Sequence, residues 1–258
     1  MAIKLRGSKF EGYRLAKRLR ALGVGVVAML PVHPFQGRVM ARFDLRNHRK
    51  IAVIDGETGY TGSQNLIEAD FKTGLVFEEM MIRVTGPAVL ELQFVFLADW
   101  FVETGLMLEG PEVLPEPTQT GAVAVQTLPS GPDFPTQNNQ RLFVSMVHEA
   151  DRSVHLSTPY FIPDEPLLQA MQTAAQRGVE VHLILPRSPD SFLVSRAQRA
   201  YYGPLLAAGV LIHLYRPAFL HSKFLCVDGE IAVVGSSNFD MRDPGPLSLL
   251  RARWGAPR

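Results

Sequence analysis

Cysteine is nearly absent from this chain of 258 residues: the single Cys226 excludes an internal disulfide and a cysteine-based metal site. Within an apolar run, it reads as a buried structural thiol. An excess of one charge sign is missing too. Lys and Arg number 26 against 25 Asp and Glu, leaving a net charge of +1, so nothing in the overall charge favours nucleic acid as a partner. No apolar run approaches the roughly 18 residues of a membrane span, and Met1 opens no signal-peptide pattern. As given, the chain reads as peripheral or cytoplasmic. It is not short of core-forming residues: 47% are hydrophobic and 20% charged, which excludes disorder as the default.

What is present is a repeat. His48-Arg-Lys50 leads through an apolar run to Asp55-Gly-Glu and on to Gly62-Ser63-Gln-Asn65. His221-Ser-Lys223 leads likewise to Asp228-Gly-Glu and Gly235-Ser236-Ser-Asn238. From each His the Lys lies at +2, the Asp at +7, the Gly-Ser at +14 and +15, and the Asn at +17. Upstream, Leu19–Val26 matches Leu205–Ile212 as a helix end, a glycine and a strand start. A duplicated unit with its polar residues in register suggests two halves meeting around one site.

Patterning predicts a helix over Gly12–Leu22 and a strand over Val24–Leu30. It then predicts the first His-Lys strand, an apolar stretch Leu75–Val84 holding Glu78 and Glu79, and a helix over Pro87–Val102. Residues 105–137, rich in Pro, Gly and Thr, read as a linker. The second half alternates helix Arg141–Ala150, strand Val154–Ser157, a helix from Asp164 to Arg177, strand Val179–Leu185, a helix to Ala208 and strand Val210–Tyr215. The expected fold is therefore α/β: two similar domains, each a mostly parallel mixed sheet flanked by helices, with the first incomplete. The bounds expected are 1–110 for the first domain, 111–138 for the linker and 139–258 for the second.

In a strand, i and i+2 share a face, so each His is expected beside its Lys. Two imidazoles suffice for a two-step displacement, one attacking while the other protonates the leaving alkoxide and activates the incoming hydroxyl. Lys50, Lys223, Asn65 and Asn238 would neutralise and hydrogen-bond the oxygens of a phosphodiester, and Ser63 and Ser236 would add hydroxyls. Asp55 and Asp228, at odd offset from their histidines, face away and read as turn residues. The basic run Arg38, Arg42, Arg46, Arg49, Lys50 reads equally as a solvated face or as an approach for anionic lipid or phosphate. His33, His148, His155, His182 and His213 have no such company and are assigned to helix surfaces and strands. Two histidines without a cysteine or carboxylate cluster make a thin metal-ligand set, and no Gly-x-Ser-x-Gly elbow appears.

The paired His-x-Lys-x-x-x-x-Asp with trailing Gly-Ser-x-Asn resembles the phospholipase D superfamily. Asp44–Lys50, Tyr60–Asn65, Asp99–Gly105, Thr158–Asp164 and Asn238–Arg242 resemble, within it, the bacterial cardiolipin synthases. The resemblance implies a pseudo-two-fold pair of phospholipase D-like domains and a catalytic set of His48, Lys50, Asp55, His221, Lys223 and Asp228, without metal or other cofactor. It implies condensation of two phosphatidylglycerols to cardiolipin and glycerol through a phosphohistidine, with His48 attacking and His221 as acid/base. Residues alone leave that order open, and equally leave open a phosphodiester hydrolase or an inactive lipid-binding fragment. By the same resemblance Glu79 orients a catalytic His. The implied partners are phosphatidylglycerol and an anionic membrane surface, the implied location the bacterial cell membrane. The family also carries membrane-spanning helices, a complete first α/β unit and, after Arg242, an apolar strand with a second acidic residue. In place of that strand stands Asp243-Pro-Gly-Pro246, so the C-terminal strand is expected to be missing.

Overall fold

The computed structural model describes residues 9–27, 48–65, 75–130, 138–188, 192–240 and 247–253. The first half holds α1 (Lys9–Ala21), β1 (Ile51–Ile54), β2 (Thr58–Gly62), β3 (Phe77–Glu78), β4 (Met81–Thr85) and α2 (Ala88–Thr104). After β5 (Ala124–Ser130), the second half runs α3 (Asn138–Glu149), β6 (Ser153–Ser157), β7 (Phe161–Ile162), α4 (Glu165–Gln176), β8 (Glu180–Pro186), α5 (Phe192–Arg199) and α6 (Tyr202–Ala207). It continues with β9 (Leu211–Tyr215), β10 (Phe219–Leu220), β11 (Phe224–Val227), β12 (Ile231–Gly235), β13 (Phe239–Asp240) and β14 (Leu247–Arg253).

The main sheet has seven strands in the order β5-β14-β12-β11-β6-β8-β9, and the first half builds a three-stranded sheet β1-β2-β4. The mixed α/β architecture agrees with expectation, but the parallel share is smaller. Within the main sheet only β6-β8-β9 pair in parallel, and the short pairs β3-β10 and β7-β13 add two more parallel contacts, while β5, β14, β12, β11 and β6 alternate in direction, as do β1, β2 and β4. The Asp-Gly turns cause two of these reversals, β1 to β2 and β11 to β12. Asp55 and Gly56 sit at φ 54° and 68°, and Asp228 and Gly229 at φ 55° and 70°, the type I′ geometry that folds a strand straight back on its neighbour.

Helix α4 shows how sequence places the core. The Asp164 side chain caps it by accepting the N–H of Leu167 at 3.0 Å, which satisfies a backbone donor that would otherwise lack a partner. Leu167, Ala170, Met171 and Ala174, at helical spacing, form its buried stripe. They meet Val154, Leu156, Val181, Leu183, Leu185 and Leu225 from the sheet; each large side chain so buried contributes roughly 1.5–3 kcal/mol. In the first half, Val84, Val89 and Leu92 form a separate smaller cluster.

Four expectations need correction. Residues 24–27 form no strand; the remainder of that predicted strand, 28–30, lies outside the described residues. The proposed linker 111–138 contains β5, an edge strand of the main sheet. The C-terminal strand is present: β14 pairs antiparallel with both β12 and β5. Pro244 and Pro246 precede it and lie outside the described residues. Finally, neither His-Lys pair lies within a strand. Both precede one, at the mouths of β1 and β11.

Candidate active site

The parallel strands β6, β8 and β9 end at one edge of the sheet, and β11 starts there because it runs antiparallel to β6. Ligand sites in such sheets gather at this edge. His221, Ser222 and Lys223 occupy it and are 8%, 4% and 3% exposed. The first half reaches the same place through β3, which pairs in parallel with β10, setting Phe219 opposite Phe77 and Leu220 opposite Glu78. The N–H of His221 donates to the carbonyl of Glu78 at 2.8 Å. The next residue along, Glu79, then lies beside the imidazole: its Oε2 is 2.7 Å from His221 Nδ1.

Ser63 supports that carboxylate. Its hydroxyl donates to Glu79 Oε2 at 2.7 Å and accepts the N–H of Met80 at 2.8 Å. Gly62 permits the approach, since a Cβ there would stand 2.1 Å from the carbonyl oxygen of Met80. The ring of Phe77 meets His221 edge-on at 5.7 Å, and that of Phe219 lies over it at 6.1 Å. These aromatic walls were not recognised from sequence, because only tertiary pairing brings them to the histidine.

Burial depresses the His221 pKa to about 4, with the Lys223 charge adding to the effect and Lys50 contributing from the first motif; Glu79 pulls the other way and loses. For Glu79 itself, burial pushes the pKa up, but the His221 bond and charge, Ser63 and Lys223 outweigh it and leave the carboxyl below its ordinary value. Both shifts describe one state, an ionised carboxylate accepting Nδ1–H from a neutral imidazole. That tautomer leaves the Nε2 lone pair available.

The two motifs share a local device. Lys223 Nζ donates to the carbonyl of its own His221 at 2.7 Å, and Lys50 Nζ to that of His48 at 2.7 Å. Ser236 is buried at 1% exposure and Asn238 follows in the link between β12 and β13; Asn65 follows β2. A polar chain joins the halves: Arg49 pairs with Asp99 and donates to the Ser130 carbonyl at 3.2 Å. Ser130 reaches Asn139, and Asn139 reaches Ser237, each at 3.2 Å. Arg49 is thus an internal tie, not part of a basic face; Arg38, Arg42 and Arg46 lie outside the described residues.

Asp55 and Asp228, counted with the catalytic set by resemblance, stand in the turns at the far ends of β1 and β11. Asp228 accepts the N–H groups of Asp151, Arg152 and Ser153 at 3.0, 2.8 and 2.8 Å. Asp228 is therefore held as a turn residue, although its odd offset counts from a histidine that stands before the strand. Three histidines read as isolated are in fact stacked. His155 and His182 lie 4.5 Å apart between ring centres, and His182 Nδ1 is 2.9 Å from His213 Nε2. Parallel pairing of β6, β8 and β9 makes this column, and no local pattern announces it. His33 lies outside the described residues.

Residues 143–243 match the family described as cardiolipin synthase, PLD-like domain. The chain is 40% identical over 232 residues to the cardiolipin synthase of Geobacillus thermodenitrificans (strain NG80-2), covering 88% of this chain and 46% of that protein. It is 40% identical over 232 residues to cardiolipin synthase A of Yersinia pseudotuberculosis serotype O:1b (strain IP 31758), covering 87% and 47%. Among solved structures it is similar to phosphatidylserine synthase from Haemophilus influenzae Rd KW20, with a TM-score of 0.60 and 14% identity over 80% of this chain and 58% of that one. That last likeness concerns the fold alone. The chain spans about half the length of the curated relatives it matches.

Proposed function

The chain belongs to the cardiolipin synthase family of phospholipase D-like proteins, and on that premise we propose that its site transfers a phosphatidyl group between two phosphatidylglycerol molecules through a phosphohistidine. The observation that carries the reading is the buried Glu79–His221 pair, made across the two halves at 2.7 Å with Ser63 behind the carboxylate and Lys223 and Lys50 in electrostatic reach. A neutral imidazole fixed by a carboxylate on Nδ1 is arranged for attack through Nε2.

We therefore assign the nucleophile to His221, reversing the order that the resemblance implies. Nε2 attacks phosphorus, the bond to the glycerol headgroup oxygen breaks, and protonated His48 gives that oxygen its proton. The headgroup hydroxyl of a second phosphatidylglycerol then passes its proton to His48 and attacks phosphorus. The P–N bond breaks, and cardiolipin leaves with His221 regenerated. Lys50 and Lys223 counter the charge on the phosphoryl oxygens. Water in place of the second lipid would give phosphatidic acid.

Incubation with phosphatidylglycerol in detergent micelles, followed by lipid mass spectrometry, tests the reaction. Cardiolipin with glycerol is expected, phosphatidic acid would establish the hydrolase, and neither product from folded protein would remove the enzymatic reading. Peptide mapping of the protein quenched in alkali tests the order: a phosphatidyl adduct on His221 is expected, and one on His48 would reverse the assignment.

A further inference from the structure

Helix α5 leaves its site edge with an unusual surface. Its first two residues, Phe192 and Leu193, are 69% and 79% exposed, although both belong among side chains that folding normally buries. The helix carries no acidic residue, and Arg196 and Arg199 are exposed on it. The Arg196 guanidinium lies 4.8 Å above the Phe192 ring centre. Two further exposed arginines, Arg187 and Arg216, follow β8 and β9 at the same edge, where the N–H of Arg187 donates to the Tyr215 carbonyl at 2.8 Å. At the end of β9 the Glu78 carboxylate accepts the Tyr215 hydroxyl.

The helix is also tied rigidly to the site. Gln198, 6% exposed, accepts the N–H of Phe161 at 3.1 Å and donates to the Tyr202 hydroxyl at 2.8 Å. Phe161 lies in β7, which pairs with β13 directly after Asn238. A bulky apolar pair rimmed by arginines matches a bilayer interface, where rings and alkyl groups enter the acyl boundary and guanidinium groups meet phosphates. Among the described residues no helix is long and apolar enough to cross a membrane, so contact through α5 would be with one face.

We infer that Phe192 and Leu193, with Arg187, Arg196, Arg199 and Arg216, form an interfacial anchor that docks the His221 edge of the protein on a bilayer of anionic phospholipid. The inference rests on the phospholipid reading of the site but is measured without turnover. Sedimentation of the full chain with vesicles of dioleoylphosphatidylglycerol, against vesicles of dioleoylphosphatidylcholine, gives the wild-type preference. The double variant F192S/L193S is expected to weaken binding to the anionic vesicles by about tenfold or more. R196Q/R199Q is expected to weaken it by roughly fivefold per charge while leaving binding to the neutral vesicles unchanged. Both should turn over short-chain phosphatidylglycerol, dissolved below its critical micelle concentration, at the wild-type rate. Wild-type binding to the anionic vesicles by F192S/L193S, or failure of the wild-type chain to bind them at all, overturns the anchor. A His221→Ala chain that still sediments but makes no product separates docking from chemistry, and a wild-type chain that docks through α5 without turnover would remove the catalytic reading alone.

Discussion

The two halves of the molecule carry the same hairpin in different surroundings. In each, a His-x-Lys segment leads into four paired residues, an Asp-Gly turn with positive φ at both positions, and a second strand ending in Gly-Ser. In each, the Lys ammonium binds its own His carbonyl. The second hairpin sits inside the seven-stranded sheet over the main core, while the first belongs to a three-stranded sheet over a small cluster. The turns are held differently as well. Asp228 clamps three backbone N–H groups, whereas Gly56 is pressed against Pro115, which would lie 2.4 Å from an added Cβ. The support of the histidines is likewise unequal in origin. Gly62 pairs with Met81 and Gly235 with Leu249, so the register position equivalent to Glu79 holds Leu247. Duplication has preserved the local motif, and each half has acquired its own scaffolding.

The largest effect should come from breaking the pair that joins the halves. His221→Ala is expected to lower the rate of phosphatidyl transfer by about 10⁴-fold or more. Glu79→Gln, which keeps the shape but removes the carboxylate charge, should lower kcat by roughly 10²–10³-fold. Product formation in detergent micelles measures both. A Glu79→Gln enzyme running at wild-type rate would detach the first half from the chemistry.

Acid should reveal the same pair. The folded pKa of His221, about 4, lies below the ordinary 6.5. The unfolded chain therefore binds more protons between those values, and stability falls as pH drops through that window. The loss approaches about 3 kcal/mol and is complete below pH 4. Glu79, depressed from 4.5, adds a loss below that pH, and His155, also depressed by burial and by its stacked neighbours, adds a shallow one in the same direction. Urea unfolding between pH 7 and 4 should show a flatter slope in His221→Ala than in the wild type.

The turns separate the halves further. Asp228→Ala should cost roughly 2–3 kcal/mol by orphaning three N–H groups, measured as a shift in the urea midpoint. Smallest in scale is a contrast of glycines. Gly229→Ala has open space around it and should lose only about 1 kcal/mol to its positive φ. Gly56→Ala must also displace Pro115 and should lose more; equal thermal shifts would contradict the packing difference.

Sequence alone determined the repeat, the hairpin turns and most of the second-half helices and strands. These depend on spacing, on Asp-Gly chemistry and on apolar periodicity, all settled by neighbours within a few residues. It also put Asp55 and Asp228 in turns, since Asp-Gly is a local turn signal. Only tertiary structure decided that β5 belongs to the main sheet and that β14 pairs despite the prolines before it. It alone stacked His155, His182 and His213, and it placed Phe77, Phe219 and Glu79 around His221. The Glu79–His221 contact spans 142 positions of the chain. Its existence depends on β3 pairing with β10 across the two halves, and the free energy of such a pairing comes from burial and hydrogen bonds that form only once both halves have folded.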